Sequence, residues 1–127
     1  MSITVAPVGN SRILSVGTYR PKRVVPNSEI VDRIDSTDEW IVQRTGIESR
    51  RFAGDDETVI SMAKAACEIA LKRAKLTIAD IDTVILSTIS YPFQAPSAAT
   101  ELINELGNPK AAAFDISAAC AGFCYGV

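Results

Sequence analysis

Thr83-Val-Ile-Leu-Ser-Thr88, Ser97-Ala-Ala-Thr-Glu-Leu-Ile-Asn-Glu-Leu106 and Ala111-Ala-Ala-Phe-Asp-Ile-Ser117 follow one another along the chain. The first and third are short apolar runs, the first with β-branched residues. They predict strands, the first buried on both faces. Between them, a loop containing Pro92 and Pro96 leads into a helix over 97–106, which Gly107 closes. Strand, helix, strand argues a parallel pair joined by a right-handed crossover, and so an α/β domain with a largely parallel core sheet. After the second strand, Ala118-Ala-Cys-Ala-Gly-Phe-Cys-Tyr-Gly-Val127 reads as a tight turn entering a helix.

The segments before this unit fit the same class. Thr58 to Lys75 predicts the longest helix: Val59, Met62, Ala63, Ala66, Ile69, Ala70 and Ala74 recur at helical steps and form one apolar stripe. Its polar face carries Lys64, Glu68, Lys72 and Arg73, with Glu68 and Lys72 spaced as an ion pair. Ser36-Thr-Asp-Glu39 has the form of a capping box that opens a short helix through Trp40, Ile41 and Arg44, with Gly46 at its end. Asn27 to Ile34 predicts another short helix, with Asn27 as its N-cap and Glu29 in the first turn. Arg12 to Tyr19 predicts a strand ended by Pro21, and residues 1–11 a loose lead-in.

Composition bounds the function. Of 127 residues, 47% are hydrophobic and 22% charged, enough apolar side chain for a core and too much for a disordered tail. A net charge of −2 leaves no global basic field for nucleic acid, although Arg50-Arg51 could still meet a phosphate. No apolar run approaches the ~20 residues of a membrane span. The first residues lack the basic and apolar regions of a secretory signal. Three cysteines make no disulfide framework, and a reduced cytoplasm is expected. There is no histidine, so this sequence supplies no imidazole. The last helix would hold only a few residues after Cys120, which points to a chain cut inside a larger protein; a natural terminus packed on the sheet is the alternative.

Two features carry chemistry. Cys120 stands at a strand-to-helix turn among Ala118, Ala119, Ala121 and Gly122, small residues that permit a sharp turn and leave space for a substrate. A helix N-terminus favours the thiolate, and its free amides could hold a thioester oxyanion. Equally, Cys120 could be a small buried hydrophobe. Cys124 and Cys67 read as core cysteines, since a C-x3-C pair without histidine makes a poor zinc site; no metal site is expected. The second feature is Trp40 with Arg44 one helical turn later. Such a pair can stack on a planar ring and hold a base or phosphate, or it can be a buried Trp with an Arg lying over it. The sequence has no dinucleotide-binding or P-loop fingerprint.

Asp35-Ser-Thr-Asp-Glu-Trp-Ile-Val-Gln-Arg-Thr-Gly-Ile47, Arg50-Arg51-Phe52 and Ala118-Ala-Cys-Ala-Gly-Phe123 resemble the β-ketoacyl-acyl carrier protein synthase III family. Gly17-Thr-Tyr-Arg-Pro21, Asp55-Asp-Glu-Thr58 and Pro96-Ser-Ala-Ala99 fit as well, in one order over residues 12–127. The resemblance implies a thiolase-like fold, two α/β halves stacked as α-β-α-β-α layers, usually a homodimer. Residues 12–127 would be the first part of the N-terminal half, ending after the nucleophile elbow. It implies that Cys120, at the buried start of a central helix, takes an acyl group from an acyl-CoA primer, and that malonyl-acyl carrier protein is then condensed onto it. Acyl-CoA is a substrate here; no cofactor is implied. Trp40 is similar to the tryptophan that stacks on the CoA adenine, with Arg44 on the other side of the ring. Ser36 stands where a threonine near the nucleotide is common. Ala95 stands where some members carry a phenylalanine that limits primer length across the dimer interface. The family's catalytic His and Asn belong to the other half. Two alternatives stand beside this reading: a thiolase-fold acyltransferase of secondary metabolism, and a non-catalytic fragment that binds acyl-CoA or a partner.

Overall fold

The computed structural model describes residues 11–127; the expected lead-in over residues 1–11 therefore lies almost wholly outside the described residues. The core is the predicted strand-helix-strand unit. Strands β3 (Thr83–Ser87) and β4 (Ala112–Ile116) pair in parallel, with Ile85 opposite Phe114, and helix α4 (Ala98–Leu106) crosses between them. Helix α3 (Val59–Ala74) packs beside α4. Ile60, Leu86, Ala98, Ala99 and Leu102 form the buried cluster, with Val84, Ala113 and Cys67 against it. Helices α3 and α4 cover one face of the ladder; on the other, Ile85 and Phe114 are 41% and 47% exposed, so the expectation of a strand buried on both faces does not hold among the described residues.

The termini of α3 follow the sequence. The Thr58 hydroxyl accepts from the Ser61 amide at 3.1 Å and the Ser61 hydroxyl accepts from the Thr58 amide at 2.9 Å, a reciprocal cap. Lys75 ends the helix in the left-handed region. Glu68 and Lys72 form no ion pair; Lys64 instead meets Glu105 of α4 at 3.2 Å, and Arg73 donates to the Val16 carbonyl at 2.6 Å.

Residues 11–21 are not a strand. Extended backbone becomes a strand only with a ladder partner, and none pairs with this segment among the described residues. It lies instead on α3, where the Ser15 hydroxyl donates to the Ala70 carbonyl at 2.7 Å. Glu57, at the foot of α3, holds the end of the segment by accepting from the Tyr19 hydroxyl and from the Lys22 amide at 3.0 Å. It also accepts from the Gly54 amide at 2.9 Å. These donors, Tyr19 foremost, keep the Glu57 carboxyl below the usual carboxylate range.

Two strands escaped the sequence reading. β1 (Arg23–Pro26) and β2 (Ser49–Phe52) pair antiparallel, with Arg23 opposite Phe52 and its guanidinium 5.9 Å from the phenyl ring. Between them come a short 3-10 turn (Asn27–Glu29) and the helices α1 (Val31–Ile34) and α2 (Asp38–Thr45). Asn27 is not an N-cap: its side chain is buried and bonds elsewhere. The cap of α2 is Thr37, whose hydroxyl accepts from the Trp40 amide at 3.2 Å, one residue later than the expected Ser36 box.

The crossover is pinned from below. The Asp115 carboxylate of β4 accepts from the amides of Ala98 and Ala99 at 2.8 and 2.7 Å, so it caps α4 from a neighbouring strand. Asp115→Ala should lower stability by about 2 kcal/mol, since it leaves two amides of the first helical turn unpaired. Asp115→Asn, with one acceptor oxygen, should lose about half of that. Urea unfolding of the full chain measures both.

Candidate functional site

β3 and β4 run parallel, so the loops that follow them leave the same edge of the sheet. The loop after β3 carries Ala95; the turn after β4 carries Cys120. The first loop is held by Tyr91, whose hydroxyl donates to Glu101 of α4 and whose ring meets Phe93 edge-on at 5.6 Å. The Glu101 bond pushes the Tyr91 hydroxyl up to about 12, so it stays a neutral donor at neutral pH. Ala95 is exposed, in a cis peptide bond with Pro96.

The turn after β4 is an elbow. Ala119 has φ +45°, unusual for a residue with a Cβ. A 3-10 turn (Ala119–Ala121) then hands the chain to helix α5 (Gly122–Gly126). Cys120 is exposed at its middle. Gly122 lets α5 sit on the end of β3, since a Cβ there would already lie 3.3 Å from the Ser87 Cβ. Two turn amides are already engaged: Ala121 donates to the Ala118 carbonyl at 3.0 Å and Gly122 to that of Ala119. These two amides are therefore not free to hold an oxyanion, although the sequence reading expected that of this terminus. Cys124, expected in the core, is exposed on α5. Cys67 is half-buried against the core cluster, and burial pushes its thiol up.

The second group sits on α2. Trp40 is 55% exposed, so among the described residues it is not a core tryptophan. The Arg44 guanidinium lies 5.7 Å from the centre of the indole, on one of its faces. A planar ligand would stack on the other face or displace the arginine. Below the indole, a cavity of about 340 Å³ is lined by Ile34, Asp35, Ser36, Thr37 and Trp40. The Ser36 Oγ is buried there without a hydrogen-bond partner among the described residues, an unmet polar group beside the exposed ring. No cluster of metal-ligating side chains occurs among the described residues.

Sequence reasoning missed two residues that build these sites. Asp115 was legible only as part of an apolar strand, and Asn27 only as a cap. A polar residue inside an apolar run was the available signal for Asp115.

The chain is 54% identical over 117 residues to β-ketoacyl-[acyl-carrier-protein] synthase III 1 of Streptomyces avermitilis, a match that takes in 92% of this chain and 33% of that protein. It is 55% identical over 113 residues to the mycobacterial β-ketoacyl-[acyl-carrier-protein] synthase III of Mycobacterium tuberculosis, covering 89% of this chain and 34% of the relative. Among solved structures, the priming β-ketosynthase from the R1128 polyketide biosynthetic pathway superposes with a TM-score of 0.91 at 46% identity, over 98% of this chain and 37% of that one. 3-Oxoacyl-[acyl-carrier-protein] synthase III from Aquifex aeolicus gives 0.85 at 40% identity, over 91% and 37%. No protein-family model matches the sequence. The chain spans about a third of the length of the curated relatives it matches. An α/β unit that superposes on these enzymes, and is about half identical to the curated relatives over nine-tenths of its own length, is similar to β-ketoacyl-acyl carrier protein synthase III over about a third of that enzyme's length.

Proposed function

We propose that this sequence carries the nucleophile and the nucleotide grip of an acyl-CoA-primed β-ketoacyl-acyl carrier protein synthase, which begins a fatty acid chain. The observation that carries the reading is the exposed Cys120 thiol on a strained elbow at the sheet edge. In the first step the Cys120 thiolate attacks the thioester carbonyl of the primer. A new carbon–sulfur bond forms, the bond to CoA breaks, and the departing CoA thiolate takes up a proton. In the second, malonyl-acyl carrier protein loses carbon dioxide, its carbanion attacks the acyl-enzyme, and Cys120 is released as the β-ketoacyl-carrier product leaves. The sequence contains no histidine, so any imidazole that stabilises the carbanion comes from outside it. Trp40 stacks on the adenine, Arg44 holds the nucleotide, and the Ser36 hydroxyl is the polar group beside it. Acyl-CoA is a substrate and no cofactor takes part. A homodimer in the cytoplasm completes the proposal.

Intact mass of the full chain before and after incubation with an acyl-CoA tests the reading. A gain of one acyl group supports it; no gain with any acyl-CoA overturns it for this chain by itself. Ala95 sets the primer. With a small side chain on this loop, butyryl- to lauroyl-CoA should be used with a kcat/KM roughly tenfold above that for acetyl-CoA. A preference for acetyl-CoA would remove Ala95 from the acyl pocket.

One observation favours a second reading. The R1128 priming β-ketosynthase superposes with a TM-score of 0.91, and its pathway makes a polyketide. The same acyl-cysteine could then serve secondary metabolism. Product analysis with malonyl-acyl carrier protein as sole acceptor separates the two.

A further inference from the structure

We propose that Asn27 is a positioning residue for the helix that carries Trp40 and Arg44, and so sets how firmly the nucleotide end of the acyl-CoA is held; this rests on the nucleotide role given to Trp40 above. The helix, Asp38–Thr45, is weakly anchored by apolar contact. Of its eight residues only Ile41 is buried, 7% exposed, while Trp40 beside it is 55% exposed. A helix with one apolar anchor can pivot about it, and neighbouring residues on a helix point about 100° apart, so a small pivot at Ile41 swings the indole.

Asn27 supplies the second anchor. It is 1% exposed, and its amide group is fully used. The Nδ2 donates to the Asp38 Oδ1 at 2.6 Å, at the first residue of the helix, and to the Ile47 carbonyl at 2.8 Å, just past the Gly46 that ends it. The Oδ1 accepts from the Arg50 guanidinium of β2. The Asn27 backbone amide donates to the Glu48 carbonyl at 3.2 Å. One side chain therefore ties both ends of the helix to the β1–β2 pair. Only an amide offers two donors and an acceptor on one plane: aspartate would set a carboxylate against Asp38, and leucine would leave Arg50 and Ile47 unpaired.

The test compares two thioesters in the full chain, an acyl-CoA and the same acyl group on pantetheine, which lacks the nucleotide. Asn27→Ala should raise KM for the acyl-CoA about tenfold with kcat within about twofold, and leave acyl-pantetheine kinetics within about twofold of wild type. Asp38→Ala removes one of the two acceptors at an exposed position and should move KM the same way, about threefold. It carries the test by itself if thermal unfolding shows that Asn27→Ala does not fold. Equal losses with both thioesters, or no change with either, overturn the positioning role. A wild-type protein that takes an acyl group from neither thioester overturns the proposed function itself, an outcome distinct from an active wild type whose variants fail to separate the substrates.

Discussion

Cys120→Ser is expected to abolish acyl uptake from acyl-CoA, with a loss of on the order of 10³-fold or more in the acylation rate. The side chains are nearly the same size, so the elbow at Ala119 and the seat of helix α5 on Ser87 should persist. What changes is the nucleophile. A thiol is intrinsically strongly nucleophilic, whereas a serine hydroxyl needs a neighbouring base. Cys120 has no side-chain hydrogen-bond partner among the described residues, and the sequence has no histidine to act as that base. Unfolding temperature should stay within about 2 °C of wild type. The matched controls are Cys124→Ser, one helical turn on, and Cys67→Ser, whose thiol is pushed up by burial; both should still take up one acyl group by intact mass. Loss of uptake in either control, with uptake retained in Cys120→Ser, would move the nucleophile.

Gly17→Ala is expected to cost about 3 kcal/mol of stability. A Cβ at Gly17 would lie 1.9 Å from the Ala66 carbonyl oxygen and 2.6 Å from the Ala70 nitrogen, both backbone atoms of α3. No rotamer relieves a clash with helix backbone, so residues 11–21 must lift away. The Ser15 to Ala70 and Arg73 to Val16 bonds would go with them. Urea unfolding of the full chain measures the loss, and hydrogen exchange over residues 12–19 should rise. An unchanged midpoint would show that this segment is not seated on the helix.

Legibility followed the range of the interactions. The strand-helix-strand core and the extent of α3 were readable because their signals are local: short apolar runs and an apolar stripe at helical steps. The cap of α2 slipped by one residue because Ser36 and Thr37 both carry the hydroxyl, and only the fold decides which one meets the Trp40 amide. The β1–β2 pair was hidden by its proline and arginines, and the lead segment was misread because a pattern suited to extended backbone does not supply a partner strand. Asn27 was misread for the same reason. Its partners lie 11, 20 and 23 residues away, beyond any capping rule. In the candidate site, the exposed cysteine and tryptophan were legible as residue types. The left-handed Ala119 was not, since alanine gives no sign of it.

The lead segment also has a schedule. Ser15 and its partner Ala70 are 55 residues apart, and Val16 and Arg73 are 57 apart. At the ~5–20 residues per second of ribosomal synthesis, roughly 3 to 11 s pass between the appearance of the segment and that of the helix turn that holds it. For that interval the Ser15 hydroxyl and the Val16 carbonyl have no helix partner. The order of synthesis thus makes the first described stretch of the chain the one that must wait, and its docking a late event in the life of the nascent protein.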